Sequence, residues 1–111
     1  MSRDDAWLLD MSTACRSILE FRRGLDREDF LADRKTQSAV LHQLMILGEA
    51  AKRVSAPLRE AAPDVPWSLV AGMRDHLIHG YQAVDLDEVW RTVDRDVPAL
   101  LERLERLSAG A

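Results

Sequence analysis

Leu86, Trp90, Val93, Val97, Leu100, Leu104 and Leu107 recur at intervals of four and three residues along the last part of the chain. Apolar residues at that period share one face of an α-helix, whereas a strand would scatter them over both of its faces. The register holds for over twenty residues, so the chain must fold around a long amphipathic helix. Pro98 lies within it and is expected to kink the helix rather than end it, since the stripe continues beyond. Asp85 and Glu88 are placed to open it as a capping box.

The same period recurs upstream. Leu8, Met11, Cys15, Ile18 and Leu25 mark a first helix, with Arg22 as a polar exception in the register. Ser2 can cap this helix, Asp4 and Asp5 favour its positive end, and Gly24 with residues 26–29 ends it. A short helical turn around Phe30 and Leu31 is expected to plug one end of the core. Asp33 caps a second long helix, striped by Val40, Leu44, Leu47, Ala51 and Val54. Gly48 sits inside it at a cost of ~1 kcal/mol relative to alanine, which points to a close helix–helix approach. Ser55, Ala56 and Pro57 stop this helix, and residues 57–62 can form one more short segment. After the break at residues 63–66, Pro66 fits the first turn of a helix carrying Trp67, Val70, Met73 and Leu77, with Gly80 to end it. The expectation is an all-α fold occupying residues 1–111 as one domain: an antiparallel bundle of four principal helices with one or two short extra ones. With 111 residues the core is at the small end, and dimerisation would enlarge it.

The net charge of −4 argues against a general nucleic-acid coat, DNA included, because such proteins carry a basic stripe. An RNA substrate would need a local basic cleft, with Arg16, Arg22, Arg23, Arg34, Lys35, Lys52, Arg53 and Arg74 as candidates. Cys15 is the single cysteine, so it forms no internal disulfide and no zinc site alone; its place in an apolar stripe reads as a small buried residue. Charges in the first ten residues leave no room for a secretory leader, and no apolar run approaches the ~20 residues of a membrane span. A cytoplasmic protein with no membrane association is expected.

Residues 67–81, WSLVAGMRDHLIHGY, hold two of the three histidines, an arginine, an aspartate and the only tyrosine. On a helical wheel Val70, Met73, Leu77 and Tyr81 face the core, and Arg74 lies at the edge of that stripe. His79 is five residues from Arg74, about 140° around a continuous helix, so the two do not converge on one phosphate directly. A turn at Gly80 would let the imidazole swing back; alternatively, a second subunit supplies the other half of the site. At a helix C-terminus the macrodipole favours the protonated imidazole, suiting His79 to general acid or base work. Arg74 would clamp phosphate oxygens through its guanidinium. Together they suit metal-free RNA cleavage by the ribose 2′-hydroxyl. Plain C-capping by an arginine and a histidine before a glycine fits the same residues. Asp75 could orient His79, pair with Arg74 or simply lie on the surface. His42 reads as partly buried, His76 as solvated, and Glu49 and Lys52 as ordinary surface charges. No histidine–carboxylate spacing suggests a metal, and no cofactor-binding motif is present.

At this segment the chain resembles the HEPN superfamily and its HepT-like branch. The resemblance rests on Arg74-x4-His79-x-Tyr81 in MRDHLIHGY, and extends to FLADRKTQSAVLHQLMILGEAAKRVS, VPWSLVAGMRDHLIHGY and VDLDEVWRTVDRDVPALLERL, in order along almost the whole chain. It implies a HEPN-type helical homodimer whose sites meet in a cleft at the interface, acting as a metal-independent endoribonuclease. It further implies the toxin half of a type VII-like toxin–antitoxin pair, with an MntA-type minimal nucleotidyltransferase as antitoxin. By position, Arg74 and His79 become the catalytic pair, Asp75 and Tyr81 supporting residues, and Tyr81 the site where the partner adds AMP. The alternative is a non-catalytic HEPN dimer that binds and positions a nucleotidyltransferase or nucleotide.

Overall fold

Short polar side chains set where the helices begin. Ser2 accepts the Asp5 N–H at 3.1 Å, and the Asp5 carboxylate takes the Ser2 N–H in return. This reciprocal pair starts α1 (Arg3–Arg22), and Asp26 with Asp29 repeats it for the short α2 (Arg27–Ala32). Asp33 accepts the Thr36 N–H and hydroxyl and opens α3 (Arg34–Arg53); Ser55 opens α4 (Ala56–Ala61). Pro66 stands immediately before α5 (Trp67–His79). Asp85 takes the N–H groups of Asp87 and Glu88 and begins α6 (Leu86–Arg91), so Glu88 enters through its backbone rather than as the expected box. Gly24, at φ 78°, turns the chain out of α1. A side chain there would meet strain, and glycine does not.

The computed structural model describes residues 2–80 and 84–109, without the side chains of Ile78, His79 and Ala109. Among these residues all regular structure is helical, as the periodicity predicts. No helix is long and apolar enough to cross a membrane.

The closing helix runs from Leu86 as α6, a π-helical turn at Thr92–Asp96, and α7 (Val97–Ala109). In the wide turn the Val97 N–H reaches back to the Thr92 carbonyl, five residues earlier. Pro98 explains its position. In a regular helix its ring would press on the carbonyl four residues back, and opening the preceding turn relieves that contact. The helix therefore continues through Pro98, with a widened turn as the form the expected distortion takes.

Packing proceeds outward from the α1–α3 pair: α5 lies on α3, and the closing helix lies on α1. Met11, Cys15 and Ile18 of α1 meet Val40, Leu44 and Leu47 of α3 in a core closed by Val93, Val97 and Leu104. Phe30 of α2 is fully buried with its ring 5.5 Å from that of Trp90. Arg22, the polar exception in the first stripe, lies over the Trp90 ring at 4.4 Å and pairs with Asp94 at 2.7 Å. It thus fastens α1 to the closing helix while its charge stays near water. Between α5 and the closing helix a groove of about 700 Å³ opens over Leu44 and Leu47.

Candidate functional site

Arg74 projects from α5 where this helix crosses α3, and Gly48 makes the crossing possible. A Cβ at Gly48 would lie 2.2 Å from the Arg74 Cβ and 3.0 Å from the Val70 carbonyl oxygen. Backbone thus meets backbone here, and the helix-breaking tendency of the glycine is accepted for the sake of that approach. The close approach expected from its position inside the helix is found.

The contact brings α3 side chains alongside Arg74. The Glu49 carboxylate takes an Arg74 Nη2 at 3.1 Å, and its other oxygen takes the Arg53 guanidinium at 3.0–3.1 Å. Asp75 takes the other terminal nitrogen of Arg74 at 3.1 Å and the Lys52 ammonium at 3.2 Å. Arg53 also lies over the Trp7 ring of α1 at 5.7 Å. Three cations and two carboxylates are therefore interleaved, leaving one net positive charge on a protein that is acidic as a whole. The Arg74 guanidinium beside it, and then Lys52, hold the Asp75 carboxyl below the usual aspartate range. Arg74 itself is half-buried at 27% side-chain exposure, so its pairs are screened less than those of a fully solvated arginine. Of the roles open to Asp75, pairing with Arg74 is found.

Trp7, Asp10, Met45, Ile46 and Glu49 border a recess of about 320 Å³ that Arg74 also lines. His42 borders it too, but is exposed rather than partly buried as the sequence suggests. His76 is exposed, as expected, on the far side of α5. Among the described residues no three His, Cys, Asp or Glu side chains gather as a metal-ligand set.

His79 is the last residue of α5, and the Gly80 N–H closes the final turn onto the His76 carbonyl at 2.9 Å. Gly80 ends the helix at φ −128°, ψ 31°, and not in the left-handed conformation common at helix ends. The backbone positions of Arg74 and His79 thus belong to one continuous helix, about 7.5 Å apart along its axis and about 140° around it. Tyr81 lies outside the described residues.

Glu49 and Lys52, read from sequence as surface charges, pair with Arg74 and Asp75 respectively. A signal for them was present: Gly48 marks a helix crossing, and residues one and four further along stand beside it.

Arg74, at a helix crossing, and His79, five residues on at the end of the same helix, carry the spacing by which the sequence resembles the HEPN superfamily. The family model described as "Ribonuclease HepT-like" matches residues 11–107, and the chain belongs to that ribonuclease family. It is 44% identical over 101 residues to a Thermococcus cleftensis protein named "Probable ribonuclease HepT", covering 91% of this chain and 92% of that one. A Methanocaldococcus jannaschii protein named as an RNase is 34% identical over 102 residues, 92% of this chain and 88% of the relative. A third relative named as an RNase, from Caldanaerobacter subterraneus subsp. tengcongensis, is 36% identical over 93 residues, 84% and 83% of the two chains. No solved structure matches the chain.

Proposed function

We propose that this chain is the toxin of a type VII-like toxin–antitoxin pair, a metal-independent endoribonuclease that works as a homodimer of HEPN-type four-helix bundles. The observation that carries the reading is Arg74, half-buried and held in place at the α3–α5 crossing within a cluster of net positive charge. A guanidinium has five N–H donors; Asp75 accepts from one, and Glu49 forms an ion pair at the other terminal nitrogen. The remainder can receive the non-bridging oxygens of a phosphodiester as negative charge builds on them. The ribose 2′-hydroxyl attacks the adjacent phosphorus, and the bond to the 5′-oxygen breaks. His79 takes the 2′-hydroxyl proton and returns a proton to the leaving oxygen. The products are a 2′,3′-cyclic phosphate and a 5′-hydroxyl. With Arg74 and His79 about 140° apart on one helix, pairing across two subunits gives them a common phosphate.

Tyr81, two residues beyond His79, is the proposed acceptor of AMP from an MntA-type nucleotidyltransferase antitoxin. A bulky anionic adduct there would repel RNA from the cleft and silence the nuclease. Supporting this part is the sequence alone, through Arg74-x4-His79-x-Tyr81.

The test is cleavage of transfer and messenger RNA by unmodified protein in excess EDTA. Cleavage lost in both Arg74→Ala and His79→Ala, with cyclic phosphate ends, is the expected result. Undiminished cleavage in either variant would refute the assignment. A second reading is favoured by the carboxylates on both terminal nitrogens of Arg74: a non-catalytic dimer that binds the nucleotidyltransferase or its nucleotide. It predicts an inert wild type whose partner binding survives His79→Ala.

A further inference from the structure

We infer that Glu49 is a positioning residue for Arg74, setting the direction of the guanidinium before RNA arrives. This inference rests on the ribonuclease reading for its catalytic consequence and on geometry for its substance.

An arginine side chain has four rotatable bonds, and an arginine that must be ordered by its substrate loses part of the binding energy in that step. Glu49 restrains this freedom through its ion pair. Its own backbone is fixed, because the preceding residue, Gly48, is pressed against the Arg74 Cβ and the Val70 carbonyl. One carboxylate oxygen then holds Nη2 of Arg74 at 3.1 Å. The other oxygen is held by both Nε and a terminal nitrogen of Arg53, at 3.1 and 3.0 Å. Both Arg53 contacts converge on Oε1, which anchors that corner of the Glu49 carboxylate and leaves Oε2 to the Arg74 ion pair. Arg53 in turn rests over Trp7 of α1, which extends the support to a third helix.

Charge explains why a carboxylate can do this without disabling the clamp. A lone glutamate would cancel the potential that draws a phosphate. Here Arg53 offsets the Glu49 charge and Lys52 offsets that of Asp75, so the surplus positive charge is carried beside Arg74. Asp75 is a neighbour of Arg74 on the same helix and reaches α3 through the Lys52 ammonium. Glu49 pairs with Arg74 directly from α3.

The experiment measures single-turnover RNA cleavage for Glu49→Ala, Glu49→Gln, Arg74→Lys and the double variant Glu49→Ala/Arg74→Lys, each checked for native helicity. Glu49→Ala is expected to lower the saturating single-turnover rate about 10- to 100-fold, with the half-saturating concentration changed less than threefold, because the clamp acts as charge develops. Glu49→Gln, which keeps an acceptor oxygen at the same place, falls between it and the wild type. In the Arg74→Lys background, where no guanidinium remains to be aimed, adding Glu49→Ala costs less than twofold. A Glu49→Ala enzyme within twofold of wild type, or one losing the same factor in both backgrounds, overturns the inference. Arg74 Nη resonances provide a readout independent of cleavage. Slow rotation about Cζ–Nη is expected in the wild type, with averaging in Glu49→Ala. Identical line shapes in the two proteins overturn the inference even if the wild type proves inert. Unimpaired cleavage by Arg74→Ala would instead refute the assignment of Arg74 to the nuclease site and leave the NMR result to decide the role of Glu49.

Discussion

Replacing Gly48 with alanine would put a methyl carbon 2.2 Å from the Arg74 Cβ and 3.0 Å from the Val70 carbonyl oxygen. Carbon atoms in ordinary contact are ~3.5–4.0 Å apart, so α3 and α5 must separate by more than 1 Å at this point. Neither obstacle is the tip of a flexible side chain, and the strain should reach the upper part of the ~1–3 kcal/mol seen for overpacked cores. Better helix propensity returns ~1 kcal/mol, leaving a net loss of about 2 kcal/mol. A chain of 111 residues has an unfolding entropy of about 0.23 kcal/mol per kelvin, so Tm should fall by about 9 °C. Gly72→Ala is the matched control. No atom lies within 4 Å of its added methyl, and the propensity gain alone should raise Tm by up to about 4 °C. Circular-dichroism melts at matched protein concentration would compare the two. A displacement of ~1 Å at Arg74 should also reduce RNA cleavage about 10- to 100-fold in Gly48→Ala. Equal Tm changes in the two variants, or a Gly48→Ala protein as stable as the wild type, would refute the close crossing and the placement of Arg74 that depends on it.

Burial pushes the Cys15 thiol up to about 12, so the native protein should resist alkylation at pH 8 and label stoichiometrically once unfolded; rapid native labelling would contradict its place in the core. Asp4, held low by the hydroxyl and N–H of Ser55, and Asp75, held low by Arg74 and Lys52, have folded pKa values below the ordinary aspartate value of 3.8. Their stabilisation is complete above that value and is lost as pH falls through the lower folded values. Asp4→Asn should therefore lower Tm at pH 7 and flatten its decline below pH 4, whereas an unchanged acid limb would dismiss the Asp4–Ser55 tie. Phe30→Ala, which empties a fully buried site against Trp90, should cost ~3–5 kcal/mol by chemical denaturation; a loss under ~1 kcal/mol would show that α2 does not close the core. Cleavage by a locally positive cleft on an acidic protein should weaken steeply with salt, and a flat response between 50 and 200 mM salt, the range over which phosphate contacts weaken markedly, would deny the cleft its electrostatic role.

Helix positions were legible because burial repeats with the period of the backbone. Leu44 and Leu47, Val93 and Val97, and Leu104 all lie in the core that their spacing predicts. Gly48 was legible too, since a glycine within a strong helix needs a reason. Partners across helices were not. Periodicity assigns a residue to a face but does not say which helix covers that face. Arg22 is an exception in its own stripe until Trp90 and Asp94, some seventy residues away, stand beside it. Glu49 and Lys52 likewise look like solvated charges until α5 arrives with Arg74 and Asp75. His42 shows the converse, since proximity to a stripe on a wheel does not guarantee that a neighbour reaches far enough to bury it.

The widened turn at Thr92–Asp96 divides the closing helix into two docking pieces. Its first piece is held by α2, where Phe30 meets Trp90 and Arg27 pairs with Asp87; its second lies along α1. Ordinary helices fray from their ends inward. Here the regular ladder is interrupted in the middle, between two anchored segments. Slow hydrogen exchange should therefore appear as two separate protected blocks, with early-exchanging amides between them. The closing helix would then open as two units, each released by the loss of its own partner.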